Sequence, residues 1–229
     1  MTTPDQIKAV VFDLDGTLID SAPDIAAAVN CVLADHGWAP LATDYVERFI
    51  GDGPKTLILK ILQEQGLPTD DAFVEASKLA YLRNYAKAPA TYTTFFAHVV
   101  EDLKALKASG LRLGICTNKP HGLTQTVLSI LGIAELFDSA IGADAVPRRK
   151  PAAAHLLAVV DAMGLAKDEV AYVGDTDVDS ACARSARVPF FIVPWGGGPQ
   201  VVDADATRIS RLRDLLFHLG RVQAADVPA

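Results

Sequence analysis

Residues 8–20 read KAVVFDLDGTLID, an apolar, β-branched run from Ala9 to Phe12 that ends directly on Asp13, Asp15 and a glycine at Gly16. The run has the composition of a buried strand, and the Asp and Gly that follow are residues that end strands and open turns. On an extended backbone, residues two apart project to the same side, so both carboxylates face one way. Like charges that close disfavour each other's ionisation, and burial makes this worse. A strand that ends in this manner calls for a compensating cation.

Similar runs recur along the chain: LRLGIC at 111–116, AYV at 171–173 and FFIV at 190–193, with a weaker one in SAIGADAV at 139–146. Stretches with helical spacing separate them, such as FFAHVVEDLKALKASG and PAAAHLLAVVDAMG. Strands that alternate with helices predict parallel βαβ units and an α/β fold whose sheet is covered on both faces. From Ser21 to Ala88 the alternation stops. Helical periodicity over 23–36, 43–50, 54–65 and 70–86 is punctuated by GWAP, GDGP and GLPTD, which are good helix stop and start signals. The expectation is an α/β core interrupted after its first strand by an all-helical insertion. The crossing segments lie near Leu18–Asp20 and Ala88–Thr93, and the last residues, VQAADVPA, are expected to fray.

In open parallel sheets, ligands bind beyond the carboxyl ends of the strands. The first strand delivers Asp13, Asp15, Gly16 and Thr17 there; GICTNKP delivers Thr117 and Asn118; PRRKP delivers Lys150; YVGDTDVD delivers Asp175 and Asp179. If a helix begins between the last two, one turn brings Asp179 back to the edge where Asp175 stands. Singly, each has a plain structural reading: a turn former, a helix cap or a solvated lysine. Together, in order and each at a strand end, they point to one site. Carboxylates converging in this way suit a hard divalent cation, and Mg²⁺ is commonly held by few carboxylates plus water and substrate phosphate.

The formal charge of −7 argues against a non-specific nucleic-acid binder, which needs clustered Lys and Arg. The three cysteines, Cys31, Cys116 and Cys182, are widely spaced and form no Cys-x-x-Cys, so neither a zinc knuckle nor a disulfide framework is suggested. No secretory signal is read at the N-terminus, and no apolar segment approaches a membrane span. The expectation is a reduced cytoplasmic protein, monomer or homodimer, with no nucleic-acid or membrane partner.

FDLDGTLIDSAPDI, CTNKP, the Lys150 of RKP and YVGDTDVD resemble the four motifs of the haloacid dehalogenase superfamily of phosphohydrolases, in its phosphoglycolate phosphatase-like branch. The resemblance covers nearly the whole chain. It implies a Rossmann-like three-layer core with a parallel sheet, residues 1–17 and 90–229, and a mobile helical cap, residues 18–89. It also implies a Mg²⁺-dependent phosphatase for a small phosphorylated metabolite, 2-phosphoglycolate first. Asp13 would be the nucleophile that forms an aspartyl-phosphate, and Asp15 the general acid and then base. Thr117, the Asn118 N–H and Lys150 would bind the phosphoryl oxygens. Asp13, the Asp15 carbonyl, Asp175 and Asp179, directly or through water, would hold the metal. Asp15 favours phosphoryl chemistry over carbon–halogen cleavage within the superfamily. Pyrophosphatase, sugar phosphatase and phosphosugar mutase share these motifs; a non-catalytic switch protein would have little need of all four acidic and basic residues.

Two features depart from the family pattern. Arg187 in SARVP stands where relatives usually have Gly, and ATYTTFFAHV lacks the usual Pro-Gly turn before the next helix. In the cap, Lys55 of FIGDGPKTL is the candidate to meet a substrate carboxylate, against the plainer reading of a solvated lysine at a helix start. PWGGGP at 194–199 is expected to line the cleft, with Trp195 packing, and the histidines are expected to be structural or exposed.

Overall fold

A computed structural model describes residues 6–222 of the chain. The expected fraying of 222–229 therefore falls, from 223 onward, outside the described residues. In chain order the elements are β1 (Ala9–Phe12), β2 (Ile19–Asp20), α1 (Ala22–Asp35), α2 (Thr43–Glu47), α3 (Pro54–Glu64), α4 (Asp71–Lys87), β3 (Thr94–Phe95), α5 (Val99–Ala108) and β4 (Arg112–Thr117). They continue with α6 (His121–Ile130), β5 (Ser139–Gly142), α7 (Ala153–Ala162), β6 (Val170–Gly174), α8 (Asp177–Ala186), β7 (Phe190–Ile192), β8 (Thr207–Arg208) and α9 (Leu215–His218).

Six strands form one sheet in the order β5-β4-β1-β6-β7-β8, every pairing parallel. β1 is central, with Val11 beside Gly114 on one flank and Tyr172 on the other. Its residues alternate between two buried layers, as the period of a strand requires. Val10 and Phe12 pack with α5, α6 and α9 on one face, while Ala9 and Val11 pack with α7 and α8 on the other. This is the three-layer α/β core that the alternating pattern predicts. From β1 the chain adds β4 and β5 on one side and then β6 to β8 on the other, so the strand order reverses at β1, where ligands gather in such folds.

Helices α1 to α4 bury a separate apolar cluster built on Ile25, Val29, Ile58, Ile61 and Tyr81. α2 is shorter than the expected 43–50. The Phe49 and Ile50 amides bond back to Val46 and Glu47, tightening the last turn, and Gly51 at φ 118 turns the chain away. The first crossing segment pairs with residues just past the expected Ala88–Thr93, forming the antiparallel ribbon β2–β3 with Ile19 opposite Phe95. At two residues a strand, this ribbon carries no periodicity a sequence could reveal. Asp24 of α1 fastens it: its carboxylate accepts from Tyr92 N at 2.9 Å, Thr93 N at 2.7 Å and Thr93 Oγ1 at 2.7 Å. No helix among the described residues is long and apolar enough to cross a membrane.

Candidate active site

Asp13 directly follows β1 and extends its ladder, Asp13 N donating to Val173 O at 2.9 Å. Its carboxylate is 2% exposed and lies between Lys150 and the carboxylates of Asp175 and Asp179. Leu14 then packs into the core on the opposite face, which returns Asp15 to the side of Asp13. Gly16, at φ 86, makes the turn that follows. A Cβ there would lie 2.3 Å from Asp175 Oδ2, so only glycine lets the first loop close on Asp175.

Lys150 Nζ sits 2.8 Å from Asp13 Oδ1 and 2.7 Å from Asp179 Oδ1. The contact with Asp13 is an ion pair outside hydrogen-bonding angles, and Asp13 Oδ1 has no hydrogen-bond donor. Burial favours neutral Lys150, but the negative charges of Asp13 and Asp179 outweigh it and push its pKa up. His155 steadies the loop, its Nδ1 accepting from Lys150 N at 3.2 Å. Burial, reinforced by the Lys150 charge, lowers the His155 pKa to about 4, so this ring is neutral and structural.

α8 begins at Asp177 as expected, capped by Thr176, whose hydroxyl accepts from Asp179 N at 3.3 Å. One turn brings Asp179 back to the site, and Gly174 leaves room for it, since a Cβ there would lie 2.4 Å from the Asp179 Cβ. Both Asp179 oxygens are engaged. Oδ1 accepts from Lys150 and from Tyr172 at 2.6 Å, and Oδ2 accepts from Thr176 N at 3.1 Å and Oγ1 at 2.6 Å. Burial works against its charge, yet Lys150 and these donors together hold its pKa below the usual range. Asp175 accepts from Thr17 Oγ1 at 2.7 Å and Gly197 N at 2.9 Å. There burial, then the charges of Asp179 and Asp13, push the carboxyl well above its usual range. The same burial raises Asp13 to about 7, with Lys150 opposing and Asp179 adding.

Asp13, Asp175 and Asp179 each offer an oxygen within 4.8 Å of the others, all buried. One lysine cannot balance three buried, ionised carboxylates, which is why Asp13 and Asp175 hold their protons more tightly than usual, and the donor set is entirely hard oxygen. A divalent cation such as Mg²⁺ fits these residues. The Asp15 side chain stands apart from this triad. It accepts from Ser21 Oγ at 2.6 Å and from Lys119 Nζ at 2.8 Å.

Thr117 ends β4 and lies buried beside Asp13 on the wall of a cavity, as does Asn118. The Asn118 side chain reaches across the cavity to the helical insertion, Nδ2 donating to Gly51 O at 2.9 Å. A second, wider cleft of about 440 Å³ reaches Asp15 and Asp175 from the side of Gly196 and Gly197. These are the glycines of PWGGGP, placed as expected. Trp195 packs, stacking on Phe96 and donating from Nε1 to Thr17 O at 2.9 Å.

Lys55 is not brought to the site. It starts α3 with a half-exposed side chain 3.9 Å from Asp71, outside both cavities. Helix starts point side chains back and outward, and this one follows the solvated-lysine reading. The cation that does line the inner cavity is Lys119, which sequence reasoning missed although it directly follows Asn118 in GICTNKP. Tyr172 and Tyr85 were missed as well: the first stands in an apolar run that reads as strand core, the second in a mixed helical stretch, LRNYAK, that marks out no single residue.

The comparisons with known proteins agree with this geometry. Residues 10–193 match the haloacid dehalogenase-like hydrolase family. Phosphoglycolate phosphatase from Cereibacter sphaeroides is 42% identical over 190 residues, covering 83% of this chain and 86% of that protein. The enzyme of the same name from Rhodospirillum rubrum is 37% identical over 193 residues, covering 82% and 80%. Among solved structures, a predicted phosphoglycolate phosphatase from Haemophilus somnus superposes with a TM-score of 0.82 at 28% identity, covering 92% of this chain and 97% of that one. The chain belongs to the haloacid dehalogenase-like hydrolases, in their phosphoglycolate phosphatase-like branch.

Proposed function

We propose that the protein is a Mg²⁺-dependent phosphatase that hydrolyses a small phosphomonoester, 2-phosphoglycolate first, through an aspartyl-phosphate on Asp13. The observation that carries this reading is the Asp13 carboxylate: buried, ion-paired with Lys150, clustered with Asp175 and Asp179, and on a residue that lines a cavity. The names of the relatives support the substrate.

Asp13, Asp175, the Asp15 carbonyl and Asp179 would hold the metal. With both its oxygens already bonded, Asp179 is better suited to act through water. Bound there, the ion supplies charge neutralisation for the carboxylates and for the phosphoryl oxygens. An Asp13 oxygen attacks phosphorus and the bond to the leaving oxygen breaks. Asp15 gives that oxygen its proton, then takes one from the water that attacks the phosphoenzyme, and inorganic phosphate departs as Asp13 is regenerated. Ser21 and Lys119 fix the Asp15 carboxyl for both transfers. Lys150, the Thr117 hydroxyl and the Asn118 N–H meet the phosphoryl oxygens, where positioning and charge account for most of the catalysis. The wide cleft gives water the access that hydrolysis requires and a mutase excludes. Residues 18–89 act as a cap that opens and closes on the β2–β3 ribbon.

The test is phosphate release from 2-phosphoglycolate, pyrophosphate and sugar phosphates, with Mg²⁺ and with chelator. The reading expects Mg²⁺-dependent release, greatest with 2-phosphoglycolate. Release that ignores chelation, or none from any phosphomonoester, contradicts it.

A further inference from the structure

The inner cavity is lined by Asp13, Asp15, Thr117 and Asn118 together with Lys119, which pairs with Asp15, and Tyr85, whose ring faces the Lys119 ammonium. Much of the remaining lining is apolar, with Phe49 and Leu57 among it. Tyr85 comes from α4, the last helix of the insertion, and is 2% exposed. Its hydroxyl is a buried oxygen with no hydrogen-bond partner among the described residues. A phenol left that way has given up its hydrogen bonds to water without replacement, and buried tyrosines ordinarily find a partner. Its position is held firmly all the same. Tyr81, one turn earlier, stacks on it at 5.8 Å with the rings 9° apart, and the Lys119 ammonium lies 4.7 Å from its ring centroid.

Lys119 is 6% exposed and is the only cationic side chain lining this cavity among the described residues. It sits 2.8 Å from Asp15 Oδ1, the carboxyl that must meet the leaving oxygen. A group one or two carbons beyond that oxygen would therefore reach Lys119, with Tyr85 beside it. The cavity volume, about 40 Å³, is the space of roughly three waters, enough for a leaving group of few heavy atoms.

We propose that Lys119 and Tyr85 form a subsite that selects phosphomonoesters of short alcohols carrying a carboxylate. The substrate carboxylate joins Asp15 at the Lys119 ammonium, replacing its negative charge when Asp15 carries the proton for the leaving oxygen, and gives the Tyr85 hydroxyl the acceptor it lacks. Tyr85 is then the specificity-determining residue that the helical insertion contributes. The inference rests on the phosphatase reading and names what that site prefers.

The experiment compares 2-phosphoglycolate with ethyl phosphate, which has the same two-carbon length and no carboxylate, in the wild type, Tyr85→Phe and Lys119→Gln, all with Mg²⁺. kcat and KM are measured separately, and thermal melting confirms that each variant is folded. The wild type is expected to favour 2-phosphoglycolate. In Tyr85→Phe the ratio of the two kcat/KM values should fall about tenfold, carried by a higher KM for 2-phosphoglycolate, and in Lys119→Gln further. A purely structural role would lower both substrates alike and leave the ratio unmoved, and that result in Tyr85→Phe overturns the subsite. A wild type that hydrolyses both substrates equally well also overturns it while the phosphatase reading stands. A wild type inactive on both removes that reading and the subsite with it.

Discussion

Arg187 closes α8 at φ 58 and ψ 47, and His98 precedes α5 at φ 64; among the described residues these are the non-glycine positions with positive φ. They fall within SARVP and ATYTTFFAHV, the two stretches that depart from the pattern the resemblance implies. The left-handed conformation costs an L-residue roughly 1–2 kcal/mol, and glycine's greater freedom when unfolded offsets part of any gain. Arg187→Gly is accordingly expected to raise stability by about 1 kcal/mol in urea unfolding, with the slope unchanged. A neutral or destabilising outcome would show that the backbone there is unstrained. The proposed catalytic residues were legible at this scale because each ends a strand or opens a turn, where an Asp, Lys or Thr has no reason to be apolar core. Lys119 and Tyr85 were not, because what distinguishes them is a contact across the cavity: one beside Asp15 from a different strand, the other unpartnered on a helix of the insertion.

Elements long enough to show a period were legible, and those held by tertiary contact alone were not. The four insertion helices and the central strands follow from spacing and from Gly–Pro punctuation, with boundaries within three residues of those expected. The β2–β3 ribbon, β8 and α9 run to two, two and four residues, too short for any repeat. What fixes the ribbon is Asp24, 3% exposed and bonded to two amides and a hydroxyl of the returning segment. Removing that carboxylate leaves buried N–H groups without acceptors. Asp24→Ala should cost at least about 2 kcal/mol in denaturant unfolding, and it should slow turnover if the ribbon is the hinge. A stability change within about 0.5 kcal/mol, the range of ordinary surface substitutions, would contradict the clamp. Across the cavity, Asn118 Nδ2 to Gly51 O and Arg149 Nη2 to Thr56 Oγ1, at 3.1 Å, tie the core to the insertion. Arg149→Ala should speed opening of the insertion, seen as faster amide exchange in α3. Unchanged exchange there would remove Arg149 from the closing contacts.

For the molecule as a whole, the buried carboxylates make stability depend on pH and on metal together. The folded pKa of Asp13, about 7, lies above its ordinary 3.8, and Asp175 is raised in the same direction. A raised carboxyl binds its proton more tightly folded than unfolded. Its contribution to stability is therefore complete below about pH 4 and is lost as pH rises through about 7. Asp179, held below 3.8 by Lys150 and its other donors, stays ionised through this range and changes stability only at lower pH. The metal-free protein should lose stability from this site as pH rises from about 5 to about 8. A divalent ion that replaces the proton should recover it, so Mg²⁺ should raise Tm more at about pH 8 than at about pH 5. An equal Mg²⁺ shift at both values would place the ion elsewhere. Asp13→Asn should flatten the dependence, since an amide does not titrate.

The nucleophilic role of Asp13 is tested most directly by acid-quenching the enzyme during turnover of 2-phosphoglycolate with Mg²⁺ and mapping the phosphoryl adduct by mass spectrometry. The account predicts an acid-stable, base-labile adduct on the peptide that contains Asp13, absent in Asp13→Asn, which should release no phosphate. Turnover that persists in Asp13→Asn, or an adduct on a different residue, would contradict it.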